Sequence, residues 1–163
     1  MHTSITTQRK NIQCLWLAFV VGFCLVMPTA CKVSLITPYD HTLKLQIIDV
    51  QKRVDHLYFS LLDTKLAERE YTNYASTYTD IEVLLSSILK QNQVKPLNEN
   101  AVAVSKIALS FWRKYKAEHK AEGTLSNGLI KINNKYMSDI LYAMQVSEEG
   151  KKISVNNDAI LKE

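Results

Sequence analysis

The sequence predicts an all-α protein, a small antiparallel bundle of four helices that follows an N-terminal segment of a different kind. Three observations carry that prediction. Chain breakers are scarce: beyond residue 30, glycine stands only at 123, 128 and 150, and proline only at 38 and 96. An all-β chain needs turn residues far more often. Apolar residues recur at alternating spacings of three and four in four separate runs, which places each set on one face of a helix. Polar clusters fall between the runs, so connections are short and neighbouring helices fold back on one another.

The first run follows Pro38, which holds Thr37 out of helical geometry, and Asp40, whose short carboxylate suits an N-cap. Its seam is Leu43, Ile47, Val50, Val54, Leu57 and Leu61, with Lys44, Gln46, Asp49, Lys52, Arg53 and Asp55 opposite. It extends to about Lys65. The second run, Tyr71, Tyr74, Tyr78, Ile81, Leu85 and Ile88, is aromatic first and aliphatic later, and ends in Gln91-Asn92-Gln93-Val94-Lys95-Pro96. No glycine or proline separates the two. The charges of Glu68, Arg69 and Glu70 interrupt the seam and favour a turn near residues 65–70; the alternative is a three-helix bundle with a long bent first helix. The third run begins at Asn98 as N-cap, carries Ala101, Val104, Ala108, Phe111 and Tyr115, and meets a C-terminal cap at Gly123. The fourth starts after Thr124 with Leu125, Leu129, Ile132, Tyr136, Ile140 and Ala143. Gly128 weakens its first turn by about 1 kcal/mol relative to alanine. Gly150 and Lys151-Lys152 are expected to end the order. The expected organisation is a leader over 1–30, a tether over 31–39, the bundle over 40–147 and a flexible tail over 148–163.

The N-terminal segment has its own layout. Arg9 and Lys10 precede an unbroken apolar run of 14 residues from Cys14 to Met27, followed by Pro28-Thr29-Ala30-Cys31. A basic start, an apolar core of that length and a small-residue site describe a secretory signal peptide. A membrane-spanning helix needs about 20 apolar residues. Thr29-Ala30-Cys31 resembles the lipobox of bacterial lipoproteins, where small residues precede the cysteine that is diacylated and becomes the new N-terminus. Pro28 stands where that motif prefers an aliphatic residue. The resemblance implies cleavage after Ala30, with diacylglycerol and an N-acyl chain on Cys31. A secreted protein cut after Ala30 and an uncleaved N-terminal anchor remain as alternatives. Lys32 replaces the Asp that commonly retains such lipoproteins in the inner membrane. The resemblance therefore implies an outer-membrane anchor with the domain facing the periplasm; inner-membrane anchoring is the other option.

Cleavage after Ala30 would remove Cys14 and Cys24 with the leader, leaving Cys31 alone and no internal disulfide. A domain of this length buries an adequate core without one. Cleavage also removes Arg9 and Lys10, so 18 of the 20 cationic side chains face 16 acidic ones. A net charge near +2 gives no case for nucleic-acid binding, which wants clustered Lys and Arg on one face.

Few residues are arranged for chemistry. His119 lies in Glu118-His119-Lys120-Ala121-Glu122, and a carboxylate three residues away can share a metal on a bundle helix. No second such pair exists, and the zinc motif His-Glu-x-x-His is absent. A solvated charged turn is the expected state, so no metal, cofactor or catalytic residue is assigned. His56 reads as a boundary residue and His41 as a helix start. Gly-x-Ser-x-Gly, phosphate-cradling loops and Cys-x-x-Cys-His are missing. The checklist of nucleophile, base and oxyanion donors cannot be filled, and no enzyme is expected. Tyr71, Tyr74, Tyr78, Tyr115, Tyr136 and Tyr142 suit a core boundary by their spacing, with a partner surface or a ligand pocket as alternatives. In Phe111-Trp112-Arg113-Lys114-Tyr115-Lys116, Trp112 falls beside the seam and is expected half exposed. Trp112, Arg113 and Lys116 then form a candidate surface for a partner or anionic head groups; the alternative is a solvated face with buried aliphatic stems.

Thr37-Pro38-Tyr39-Asp40, followed by Val50-Gln51-Lys52-Arg53-Val54-Asp55, resembles small uncharacterised proteobacterial lipoproteins. In these an acylated cysteine is soon followed by such a segment and then by helices. The resemblance implies architecture and location only. The expected function is a lipid-anchored, non-catalytic periplasmic module that binds an unidentified protein partner. The alternative is a helical bundle that binds a small ligand or lipid in a tyrosine-lined cavity of a few hundred Å³.

Overall fold

The computed structural model describes the backbone of residues 36–160 and the side chains of residues 36–152. The leader, Cys31 and the first part of the tether lie outside the described residues. Helix α1 spans His41–Asp63, a short 3-10 turn spans Leu66–Glu68, and α2 spans Tyr71–Gln93. Helix α3 spans Glu99–Glu122 and α4 spans Asn127–Ile160. Helix α1 packs on α2 and α4, and α3 packs on the same two, with no diagonal packing among the described residues. The described residues thus form a four-helix, up-down-up-down bundle.

Helix α1 follows the sequence reading closely. The Leu43 N–H donates to the Asp40 carboxylate at 2.9 Å, closing the N-cap, and all six predicted seam residues are buried. Tyr58, which the seam reading passed over, is buried with them. The break between α1 and α2 is also where expected, but its cause differs. Arg69 does not interrupt the seam by seeking water; it is only 4% exposed. Its guanidinium donates to the carbonyls of Leu62, Thr64 and Leu125 and to Asn127 Oδ1, at 2.6–3.3 Å. One buried fork thereby joins the end of α1 to the α3–α4 connection.

Helices α3 and α4 are rotated from the expected orientation. On α3 the buried face is Ser105, Ala108, Leu109, Trp112, Tyr115 and His119, while Ala101, Val104 and Phe111 are only half-buried. The largest side chain sets this rotation. The Trp112 ring fits between Tyr58 and Tyr78, with centroids 6.3 and 5.1 Å away, and its indole N–H donates to the Tyr78 carbonyl at 2.9 Å. On α4 the buried set is Ile130, Asn133, Met137, Leu141, Met144, Glu148 and Lys151. That is one position along from the expected seam. Ile132 and Tyr136 are 53% and 54% exposed.

Two ends also differ. Asn98 occupies the N-cap position of α3 but makes no capping bond; its amide turns inward to Asn92. Helix α4 does not stop at Gly150 but continues to Ile160. A lone glycine in a helix costs only about 1 kcal/mol, too little to end a helix whose Glu148 and Lys151 are buried on either side of it. Gly123 does end α3: at φ +77° it adopts a conformation open to glycine and donates its N–H to the His119 carbonyl.

Candidate functional site

Three features of the bundle bear on function: a buried cluster at each end and an apolar face along one side. The first cluster lies at the end where the chain enters. Glu148, 2% exposed, accepts from the Asp40 backbone N–H and from Lys151 Nζ, both at 2.6 Å. Lys151 also donates to Asn98 Oδ1 at 3.1 Å. Asn98 donates to Asn92, and Asn92 to the Ser105 hydroxyl at 2.9 Å. The chain from α1, α2, α3 and α4 is thus tied at one level by a connected polar network. A shallow pocket of about 260 Å³ borders it, lined by Thr37, Asn98, Glu99, Ser147 and Lys151 among others. Thr37, assigned to the tether, is 3% exposed. Its N–H donates to the Leu97 carbonyl at 3.4 Å, and its hydroxyl to the Pro96 carbonyl. The tether is therefore docked from Thr37 onward. Asp40 is held below the ordinary carboxylate range, chiefly by its hydrogen bond from Lys95.

The second cluster lies at the opposite end, around His119, which is completely buried and not the solvated turn residue of the sequence reading. His119 Nε2 lies 2.8 Å from the Arg69 carbonyl and Nδ1 3.1 Å from the Tyr78 hydroxyl. A carbonyl only accepts, so Nε2 carries the proton and the neutral ring accepts from Tyr78 at Nδ1. Burial lowers the pKa of His119 below its usual 6.5, against smaller opposing effects of the Arg69 bond and Glu122. The rings of Tyr71, Tyr74 and Tyr78 stand 5.6–6.2 Å from the imidazole. The aromatic half of α2 is therefore filled by His119 and Trp112, and these tyrosines pack on rings. Burial raises the Tyr78 and Tyr58 hydroxyls well above their ordinary range. Among the described residues, the Tyr58 hydroxyl and the Asn133 amide nitrogen are buried without a hydrogen-bond partner.

Trp112 is fully buried, so it drops out of the surface proposed with Arg113 and Lys116. Those two cations both reach Glu82 on α2, at 2.7 and 3.1 Å. Arg113 holds the Glu82 carboxyl below its ordinary range, with help from Lys116. They form an interhelical clamp rather than an open cationic patch. The exposed apolar surface lies elsewhere. Ile132, Tyr136, Tyr142 and Val146 of α4 are each more than half exposed, and Ile107 of α3 is 47% exposed. Leu129 and Ile140 of α4 and Phe111 of α3 are half-buried and pack against the core. Of these residues, the helical spacing assigns Phe111, Leu129, Ile132, Tyr136 and Ile140 to core seams, and Ile132 and Tyr136 are instead exposed. On the other side, a groove of about 300 Å³ between α1 and α2 is lined by Leu45, Val50, Leu84 and Ile88 with Thr42, Gln46, Asp49 and Ser87.

Among the described residues no group of three or more His, Cys, Asp or Glu side chains is placed to hold a metal ion, and no helix is long and apolar enough to cross a membrane. Comparison of the chain with protein-family models, curated proteins and solved structures finds no match.

Proposed function

We propose that this protein is a lipid-anchored, non-catalytic interaction module of the bacterial envelope. In this reading Cys31 carries the lipid, the outer membrane holds it, and the bundle faces the periplasm. The observation that carries the interaction reading is the second apolar stripe of α4. A helix that already buries Ile130, Met137, Leu141 and Met144 needs no further apolar face to fold. Ile132, Tyr136, Tyr142 and Val146 stay at the surface, and exposed apolar residues gathered on one face mark protein contacts. Tyrosine suits such a surface, pairing apolar area with a polar tip.

The test is intact mass of the full-length protein made in a bacterium, followed by photocrosslinking from the membrane fraction. Loss of residues 1–30 with a gain of diacylglycerol and acyl mass supports the anchor. A crosslinker at Tyr136 or Tyr142 that captures one discrete protein, while one at Val83 on α2 does not, supports the partner face. A protein found uncut in the cytoplasm overturns the reading. The second reading, a small-ligand or lipid-binding bundle, moves from the packed tyrosines to the apolar groove between α1 and α2. Saturable binding of a fatty acid that Leu45→Glu abolishes would favour it.

A further inference from the structure

The end of the bundle where the chain enters also exposes the most solvated large apolar side chain among the described residues. Val94 is 83% exposed and Leu97 52%, both in the α2–α3 connection, and Ile36 beside them is 39% exposed. Leu97 adopts φ +55°, a left-handed conformation that a leucine rarely takes and that Gly or Asn takes more readily. The connection would fold more easily with Gly or Asn at this position, and the residue present instead is large and apolar. Pro96 and Lys95 keep the corner from joining either helix, and Thr37 fastens the incoming chain to it through the Leu97 and Pro96 carbonyls.

We infer that the α2–α3 corner is a bilayer contact: Val94 and Leu97, with Ile36, dip into the interfacial region of the membrane that holds the protein. The inference rests on the lipid-anchor reading and adds an orientation to it. Cys31 and Thr37 are six residues apart, and a fully extended chain covers about 3.5 Å per residue. A lipid on Cys31 therefore holds the corner within about 20 Å of the acyl chains, and any shorter path of the tether brings it closer. Helix α4 packs on α1 and α3 but not on α2, so it lies diagonally across from α2, and it runs on past this end to Ile160. Nine residues beyond Lys151 add about 13 Å. For the α2–α3 corner to reach a flat bilayer past this extension, the bundle must incline toward the side of the corner. Charge does not drive the contact. Lys95 is paired with Asp40, and Lys44 and Lys152 with Glu149; Lys90, exposed in the last turn of α2, is a single cation beside the corner, so apolar burial is the main attractive term and the dependence on salt or on anionic lipid is small.

The test uses the full chain expressed in a bacterium and returned to vesicles of phosphatidylcholine. A fluorescent, polarity-sensitive thiol label is placed at Val94→Cys, at Leu97→Cys or at Leu66→Cys. Leu66 is 55% exposed at the opposite end of the bundle. Intact mass of the same preparations reports whether Cys31 is acylated and whether Cys14 and Cys24 are gone. We expect blue-shifted emission at 94 and 97, at least threefold stronger quenching by a lipid-soluble quencher there than at 66, and little change on raising salt. Equal quenching at all three sites in acylated protein overturns the bilayer contact and leaves the anchor standing. Unacylated protein that does not associate with vesicles overturns the anchor and this inference with it. Circular dichroism on each variant confirms the fold.

Discussion

Replacing Arg69 by methionine is the sharpest probe of how this bundle is held. Methionine keeps the length and apolar body of the side chain, so packing loss is small. What disappears is a buried guanidinium with four hydrogen bonds, to Leu62 O, Thr64 O, Leu125 O and Asn127 Oδ1. A hydrogen bond to a charged group contributes about 1.5–3 kcal/mol, and each buried acceptor left unpaired costs about 1–3 kcal/mol. These terms overlap and do not add. All four acceptors are neutral, so no unpaired charge is left behind, and the loss comes from the hydrogen bonds and the desolvated acceptors alone, about 4 kcal/mol. That is a large share of the roughly 5–15 kcal/mol that stabilises a domain. It lowers Tm by about 15 °C at roughly 3–5 °C per kcal/mol for this size. Arg69→Lys keeps the charge but not the planar fork, and half the loss is expected. Urea denaturation followed at 222 nm reads both, with an unchanged slope reporting an unchanged unfolded state. A methionine variant within about 1 kcal/mol of wild type would refute the clamp. Full rescue by lysine would show that the charge matters and the fork geometry does not.

The remaining predictions concern single sites. Burial lowers the folded-state pKa of His119, so on acidification the unfolded chain binds the proton first. Stability is complete above about pH 6.5 and falls as pH drops through the lowered folded value; urea midpoints at pH 7.5 and 5.5 should show this fall, and His119→Gln should flatten that part of it. Glu148→Ala removes the carboxylate that accepts from both Lys151 Nζ and the Asp40 N–H and should cost about 2–3 kcal/mol, whereas Glu148→Leu with Lys151→Met should recover most of it; a double variant no better than the single one counts against the paired account. Tyr58→Phe removes a buried hydroxyl that has no hydrogen-bond partner among the described residues and should raise stability by about 1 kcal/mol, read as a higher Tm. Gly150→Ala should stabilise by up to about 1 kcal/mol, because an added Cβ there meets nothing within 4 Å. Gly123→Ala should destabilise by a similar amount, about 1 kcal/mol, because of its positive φ; the opposite pair of signs would contradict the assignment of both sites.

Helical class and the positions of the connections were legible because they follow from local properties of the chain. The spacing of Leu43 to Leu61 needs no knowledge of partners, since six aliphatic residues at alternating intervals of four and three make one continuous seam on α1. The same holds for Tyr78, Ile81, Leu85 and Ile88. Helix α4 shows where this reasoning stops. It carries two apolar stripes one position apart, Leu129, Ile132, Tyr136, Ile140 and Ala143 beside Ile130, Met137, Leu141 and Met144. The second contains Asn133, Glu148 and Lys151, so the purer stripe looked like core. Polar residues can be buried there because other helices satisfy them: Lys151 reaches Asn98 and Glu148 reaches Asp40, neither of which the sequence pairs. A signal did exist at His119, where a single histidine stood at helical spacing from Trp112 and Tyr115, but its partners Tyr78 and the Arg69 carbonyl are 41 and 50 residues distant.

The sequence by itself determined that this chain makes helices and where they begin and turn. Those properties depend on backbone propensity, breakers and periodicity within a few turns of chain. Only the tertiary structure decided which face of α3 and α4 turns inward, that Arg69, His119 and Trp112 are interior, and that one apolar stripe and the Val94–Leu97 corner remain at the surface. Rotation of a helix about its axis is set by the shapes and hydrogen-bonding groups it meets on its neighbours, and a difference of one residue in register is too small for hydrophobic spacing alone to resolve.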